Sequence, residues 1–138
     1  MALEPIMGIG VDLVENARMA QMLKRWGKRF KNKVFLPREQ VYCDSKAFPN
    51  GHYAGRFAVK EAVTKALGTG VGPSISWLDI EVVRDAASGA PSVKLSRRVG
   101  NLLRARRAGT ILISLSHTHN YAVAQAVLLG RPGAGRKV

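Results

Sequence analysis

A chain of 138 residues, 46% of them hydrophobic, is long enough for one domain with its own core and too apolar to be disordered throughout. Its single cysteine, Cys43, excludes an internal disulfide and a structural zinc site built from several thiolates. The formal net charge of +13, from 22 Lys and Arg against 9 Asp and Glu, predicts an anionic partner without choosing among nucleic acid, a phosphorylated small molecule and an acidic protein.

No apolar run is long enough to span a bilayer, and Glu4 and Pro5 interrupt the N-terminus where a signal peptide needs an apolar stretch, so a cytoplasmic location is expected. Residues 6–14 (IMGIGVDLV) form a short apolar run with two glycines and predict a buried first strand. Asp12 interrupts that run, either as a cap for the next segment or as a functional acid. Gly8-Ile9-Gly10 starts like a dinucleotide-binding fingerprint, but Leu13 stands where the third glycine belongs, and that reading is rejected.

Asn16 starts a predicted helix to about Lys31, with Met19, Leu23, Trp26 and Phe30 as its buried stripe. Between Glu15 and Glu39 every charged residue is basic. Arg18, Met22, Arg25 and Arg29 fall on one face, a basic strip with an apolar residue in it, suited to docking an acidic amphipathic helix. A solvated face explains this less well, because cations with no acid between them repel one another. Residues 37–47 predict a short helix with Pro37 at its first turn, and Phe48-Pro49-Asn50-Gly51 breaks it, with Asn50 placed to cap the next helix.

That next helix, from Ala54 to Gly68, is the one around which the chain is organised. Ala54, Phe57, Ala58, Val59, Ala62, Val63, Ala66 and Leu67 leave little of the cylinder for water, so the helix is expected to be buried. Yet Glu61 and Lys65 sit one turn apart with Thr64 beside them, and an ionised carboxylate taken out of water is costly unless its charge is compensated, by Lys65 or by a metal ion. Gly68, Gly70 and Gly72 end the helix in a loop whose bare backbone can approach a ligand.

Residues 76–83 alternate like a strand, residues 86–91 form a turn and residues 92–95 a second strand, a predicted hairpin. Ser96 caps a basic helix from Arg97 to about Ala108, with Val99, Leu102 and Leu103 facing inward and Arg97, Arg98, Arg104, Arg106 and Arg107 exposed. Residues 110–129 predict a second hairpin, turning at His117-Thr118-His119-Asn120. The order of elements argues for a single α+β domain over residues 1–129, a mostly antiparallel sheet packed on a long central helix. Residues 130–138 have the composition of a flexible basic tail.

Three groups of residues invite chemistry. His117 and His119, two apart at a strand end, with Asp12 offer a weak zinc pattern, since a His flanking a turn is as easily exposed and idle. Ser114 and Ser116 beside His117 lack the Gly-x-Ser-x-Gly elbow of a nucleophile. Asp12 and Glu61 make the better pair: each is a lone acid in an apolar segment, and two carboxylates completed by phosphate oxygens and waters satisfy magnesium.

Three ordered blocks, Gly8-Ile9-Gly10-Val11-Asp12-Leu13-Val14-Glu15, Gly55-Arg56-Phe57-Ala58-Val59-Lys60-Glu61-Ala62 with Lys65-Ala66-Leu67-Gly68-Thr69-Gly70, and Ile113-Ser114-Leu115-Ser116-His117, carry a resemblance. With Ile75-Ser76-Trp77 and Asp79-Ile80-Glu81 they make the chain, from about residue 7 to 129, resemble the holo-acyl-carrier-protein synthase family, the small trimeric group within the 4'-phosphopantetheinyl transferases. The resemblance implies transfer of the phosphopantetheine arm of coenzyme A to a serine of an acyl carrier protein in fatty acid biosynthesis, releasing adenosine 3',5'-bisphosphate. It places Asp12 and Glu61 on a magnesium ion, makes Glu61 the acceptor of the serine proton, directly or through a coordinated water, and sets Lys65 against the diphosphate. It also assigns Arg56, Thr64 and Gly68 to the coenzyme A site, and brings His117 to the nucleotide from a neighbouring subunit of a homotrimer. Arg18, Met22 and Arg25 correspond to the surface that docks the acidic carrier protein.

Residues 43–51 depart from the pattern: they are less basic than the resemblance implies, with Lys46 as their only cation for a nucleotide phosphate contact. The rival reading from another class is a basic nucleic-acid-binding module, supported by the charge, the two basic helices and Trp26. It gives Asp12 and Glu61 no role, and no stacking aromatics alternate with the cations. Neither a membrane nor a nucleic acid is therefore expected as partner.

Overall fold

The computed structural model describes residues 3–131, so the expected basic tail lies, from residue 132 onward, outside the described residues. In chain order it has strand β1 (Ile6–Glu15), helices α1 (Asn16–Val34), α2 (Pro37–Asp44) and α3 (Pro49–Leu67), and a 3-10 turn (Trp77–Asp79). Strands β2 (Ile80–Arg84) and β3 (Pro91–Leu95), helix α4 (Arg97–Ala105), and strands β4 (Ala108–His117) and β5 (Tyr121–Gly130) come next. Both sheets are antiparallel: three strands in the order β1-β5-β4, and the hairpin of β2 with β3. This is the expected α+β architecture, and among the described residues no helix is long and apolar enough to cross a membrane.

Small residues decide how sheet and helix meet. Ala54, Ala58, Ala62 and Ala66, four apart, form a shallow ridge along α3 that is buried throughout. Against it lie Ala122, Ala124, Ala126 and Leu128, on the inward face of β5. On β1 the approach is closer still: a Cβ on Gly8 would lie 2.0 Å from the Ala66 carbonyl oxygen, and one on Gly10 would lie 2.0 Å from that of Ala62. A Cβ on Gly55 of α3 would lie 3.4 Å from the Leu115 side chain of β4, so the helix crosses the sheet with its first half over β4 and its second half over β1. The two glycines that begin like a nucleotide fingerprint therefore serve contact between backbones.

The inward face of β1 is the sequence Gly8, Gly10, Asp12, Val14. Its other face differs from the expectation of a buried strand: Ile9, Val11 and Leu13 are 66%, 57% and 63% exposed in the single chain. In register they continue across the sheet into Val127, Val123 and Leu112, an apolar surface with Gln125 and Ser114 at its middle. A strand apolar on both faces reads as buried on both, and periodicity alone cannot say whether the second cover comes from the same chain.

Helix α1 is interrupted at Gly27, whose backbone has φ +52°. Met19 is buried and Leu23 and Phe30 pack on the core, as expected. Trp26 does not: it is 44% exposed, with the Arg25 guanidinium 5.0 Å above its ring. The break resets the helical phase immediately after Trp26, which lets Phe30 turn inward onto Phe35 and Phe57 without carrying Trp26 along. Asn50 also misses its expected place: Pro49 occupies the first turn of α3 after Phe48, so Asn50 lies inside the helix. Residues 77–79, expected as strand, form a tight turn because the Asp79 carboxylate accepts the Ser76 backbone N–H (2.8 Å).

The helices are tied to one another by one buried ion pair. Lys60 on α3 has no exposed surface, and its Nζ donates to Glu39 Oε1 (2.6 Å), to the Val34 carbonyl (2.8 Å) and to the Trp77 carbonyl (3.2 Å). Glu39 in turn accepts the backbone N–H groups of Leu36 and Val82, both at 2.9 Å. Burial depresses the Lys60 pKa, and the Glu39 charge and hydrogen bond oppose that shift. A pair this enclosed fixes positions more than it adds stability, because desolvation offsets much of the attraction.

The glycine contacts give a direct stability test. Gly10→Ala forces a Cβ into backbone, and equilibrium urea unfolding is expected to show a loss of roughly 3 kcal/mol. Gly100→Ala in α4, where a Cβ meets nothing within 4 Å, is expected to gain about 0.5–1 kcal/mol from helix propensity. Equal, small effects at both positions would contradict the packing described.

Candidate active site

The close approach of β1 delivers Asp12 to the flank of α3, one inward position beyond Gly10. Lys65 reaches across to it, its Nζ donating to Asp12 Oδ1 (3.0 Å) and to the Val11 carbonyl (2.9 Å). Glu61, one turn earlier and half-buried, accepts a hydrogen bond from Trp77 Nε1 (3.3 Å). Burial pushes the Glu61 carboxyl above its ordinary value and the Asp12 charge adds to the shift, against the Trp77 N–H and the Lys65 cation. Asp12 and Glu61 line one cleft of about 540 Å³ with Arg18, Met22, Phe57 and Tyr121. The structure thus joins the expected metal pair, the expected lysine and two of the three expected docking residues. Arg25 lies further along α1, exposed over Trp26.

The two lysines of α3 differ in what they are free to do. The Lys65 side chain is 51% exposed, and an ion pair so open to water is worth less than about 1 kcal/mol, so an incoming phosphate can take it from Asp12. Lys60, dry and triply bonded, is committed to the fold.

Arg56 and His117 belong to a second place, where the first half of α3 crosses β4. There a cavity of about 160 Å³ is lined by Tyr42, His52, Arg56, Arg84 and His117, among others. The Arg56 guanidinium lies 4.1 Å from the Tyr42 ring centroid, with Lys46 at 4.5 Å on the same ring, and His52 stands edge-on to His117 at 5.7 Å. Arg84 donates to the Tyr42 hydroxyl. Partial burial works to raise the Tyr42 pKa, but the hydrogen bond and charge of Arg84, with Lys46 and Arg56, outweigh it and lower that pKa. Arg56 is buried, and among the described residues its Nε has no hydrogen-bond partner. A concentration of cations with an unpartnered buried N–H is a place for an anion. Lys46, the one cation of residues 43–51, thus stands on the Tyr42 ring with Arg56, and Arg84 bonds its hydroxyl.

Thr64 and Gly68 take local roles in the single chain. The buried Thr64 hydroxyl donates to the Glu61 carbonyl (2.9 Å), and Gly68 closes α3 with φ +77°. The zinc reading does not assemble: His119 lies in the β4–β5 turn beyond the strand, and among the described residues no three His, Cys, Asp or Glu side chains gather as a metal group. Cys43 is buried, which pushes its thiol up to about 12 and leaves it unreactive. Sequence reasoning gave no separate role to Trp77, Tyr42, His52 or Arg84. Only Trp77 carried a signal, as part of the Ile75-Ser76-Trp77 block.

A family model described as the 4'-phosphopantetheinyl transferase superfamily matches residues 8–126. The holo-[acyl-carrier-protein] synthase of Protochlamydia amoebophila is 48% identical over 121 residues, covering 88% of this chain and 96% of that protein. This chain belongs to the 4'-phosphopantetheinyl transferase superfamily. Among solved members, the holo-[acyl-carrier-protein] synthase of Neisseria meningitidis superposes with a TM-score of 0.84 at 29% identity, covering 90% of this chain and 98% of that one. The Helicobacter pylori synthase, solved in complex with coenzyme A, gives 0.78 at 33% identity, covering 87% and 98%. The nucleic-acid alternative finds no counterpart among these transferases.

The turn that carries Trp77 gives a pH test. Partial burial of Asp79 disfavours its charge, but hydrogen bonds from Arg98, the Ser76 N–H and Ser96 outweigh that and hold its pKa at about 2, below the ordinary 3.8. A depressed carboxyl stabilises the fold above its unfolded pKa and loses that contribution as pH falls toward the folded one. Thermal unfolding between pH 4 and pH 2 is therefore expected to fall more steeply for the natural chain than for Asp79→Asn, by on the order of 1 kcal/mol. Parallel curves would refute the assignment.

Proposed function

We propose that this chain moves the 4'-phosphopantetheine arm of coenzyme A to a serine hydroxyl of an apo acyl carrier protein, releasing adenosine 3',5'-bisphosphate. Within that reading, it works with magnesium, as a homotrimer, in the cytoplasm, and in the service of fatty acid biosynthesis. The observation that carries it is the convergence of Asp12, Glu61 and Lys65 on one flank of α3 in a chain of this superfamily.

The donor set suits magnesium. Two carboxylates line one cleft, the Lys65 bonded to Asp12 is loosely held, and a hard divalent ion with few protein ligands keeps room for diphosphate oxygens and waters. Magnesium, when bound, supplies positive charge to the reacting phosphorus and to the leaving diphosphate oxygen. Asp12 of β1 and Glu61 of α3 would hold it.

The remaining work falls to side chains. The serine oxygen forms a bond to the phosphorus that carries the pantetheine arm, and the bond from that phosphorus to the bisphosphate oxygen breaks. Glu61, in the cleft beside Asp12, takes the serine proton. Lys65 leaves Asp12 for the diphosphate and stabilises the charge that grows on the leaving group. Arg56, Arg84 and His117 receive the nucleotide phosphate in the cavity over β4.

In a single chain that cavity and the carboxylate cleft lie on different sides of α3, over β4 and β1 respectively. A trimer that places one chain's β4 end beside its neighbour's Asp12 and Glu61 completes the site between subunits. The exposed apolar face through Ile9, Val11, Leu13 and Leu112 supports such an assembly, since a surface of that kind is unusual on a monomer. Arg18 and Met22, on the rim of the cleft, dock the acidic carrier protein, and their charge steers it in a salt-dependent way.

Mass spectrometry of an apo acyl carrier protein incubated with this protein, coenzyme A and magnesium tests the proposal. A gain of one phosphopantetheine, abolished by chelator and reduced at least roughly 1000-fold in rate by Glu61→Gln, is expected. No gain with several carrier proteins would overturn it.

A further inference from the structure

Glu61 has three rotatable side-chain bonds and stands in an apolar helix, so something must hold its carboxylate in place. Lys65, its neighbour one turn on, is engaged by Asp12 and the Val11 carbonyl instead. Among the described residues the only hydrogen bond to the Glu61 carboxylate comes from the Trp77 indole N–H, at 3.3 Å on Oε1, leaving Oε2 unengaged.

Trp77 itself has little freedom. Its carbonyl accepts from the buried Lys60 Nζ at 3.2 Å, and its ring packs on Phe57 with centroids 6.1 Å apart. Its turn is closed by Asp79, which accepts the Ser76 backbone N–H (2.8 Å) and the Ser96 hydroxyl (2.7 Å) and pairs with Arg98. Adjacent residues of α3 therefore grip opposite ends of one side chain and its backbone: Lys60 the carbonyl, Glu61 the indole.

We propose that Trp77 is a positioning residue for Glu61, fixing one carboxylate oxygen so that the other is presented as a metal ligand toward Asp12. The choice of group has a physical reason. A Lys or Arg in this place would neutralise Glu61 and compete with a divalent cation, whereas an indole N–H restrains the carboxylate and leaves its full charge available. Outer partners of this kind, when removed, typically weaken a metal site by roughly 10–100-fold. The buried Lys60–Glu39 pair enters the same chain of contacts, which couples the frame of the fold to the orientation of a ligand.

The inference rests on the reading of Asp12 and Glu61 as a magnesium pair, and the test separates the two. Manganese binding is measured by electron paramagnetic resonance, with coenzyme A present, for the natural chain, Trp77→Phe and Glu61→Gln. Phenylalanine keeps the stacking on Phe57 and removes only the N–H. The expected result is a Kd roughly 10-fold weaker for Trp77→Phe at an unchanged melting temperature, and no measurable site in Glu61→Gln. Equal affinity in the natural chain and Trp77→Phe would overturn the positioning role alone, and no manganese bound by the natural chain would overturn the metal reading with it.

Should Trp77→Phe fail to fold, Trp26→Phe leaves Trp77 as the single indole. Saturable change of its emission on titration with magnesium and coenzyme A, lost in Glu61→Gln, supports the proposal. An emission indifferent to the metal, in a protein that binds manganese, counts against it.

Discussion

Contact between the backbone of β1 and the carbonyl oxygens of α3 is the constraint on which the rest of the molecule depends. Gly8 and Gly10 have no room for a side chain, and the helix opposite presents Ala62 and Ala66, so strand and helix approach as nearly as two backbones can. Any larger residue at these places would lift the strand and carry Asp12 away from Glu61 and Lys65. The Asp12 carboxylate is thus placed by residues that have no functional groups at all. This also explains why a helix as apolar as α3 can carry polar side chains: it is buried on the sheet side by alanines, and Glu61 and Lys65 emerge along the margin where β1 ends its cover.

Charge is divided between two regimes on the same helix. Lys60 and Glu39, sealed from water, are held by five close hydrogen bonds between them and neighbouring backbone, counting the one they share, and cannot be exchanged without unsatisfied buried charge. Asp12, Glu61 and Lys65 stand at the edge of a cleft, where pairing is worth little and rearrangement is cheap. Adjacent positions of one helix thereby hold one charge sealed in the fold and another at the edge of a cleft. A basic exterior surrounds both, which suits a substrate and a partner that are each anionic.

Much of this was legible in the sequence because local rules and tertiary packing agreed. The buried helix ending at Gly68, both hairpins, the Ser96 cap, which accepts the Val99 N–H, and the pairing of Asp12 with Glu61 came from periodicity, turn residues and isolated acids, whereas Lys65, expected as the counter-charge of Glu61, bonds Asp12 instead. What was hidden depended on information no local pattern holds. The outward apolar face of β1 reads as core whichever chain covers it. Trp26 fits the helical stripe until Gly27 adopts a left-handed backbone, which a glycine permits without announcing. Asn50 is a good cap, but Pro49 starts the helix first. Arg84 and Tyr42 lie 42 positions apart in the chain, and nothing short of the fold brings them to Arg56. Trp77 was visible as part of a familiar block, yet its hydrogen bond to Glu61 was not.

Anomalous diffraction from crystals grown with manganese and coenzyme A bears most directly on the central claim, that the β1–α3 contact builds one metal site from Asp12 and Glu61. The account predicts a manganese peak about 2.1–2.2 Å from one oxygen of each carboxylate, with Lys65 withdrawn from Asp12 toward the diphosphate. A peak elsewhere, or Lys65 still bonded to Asp12 with coenzyme A in place, would contradict it.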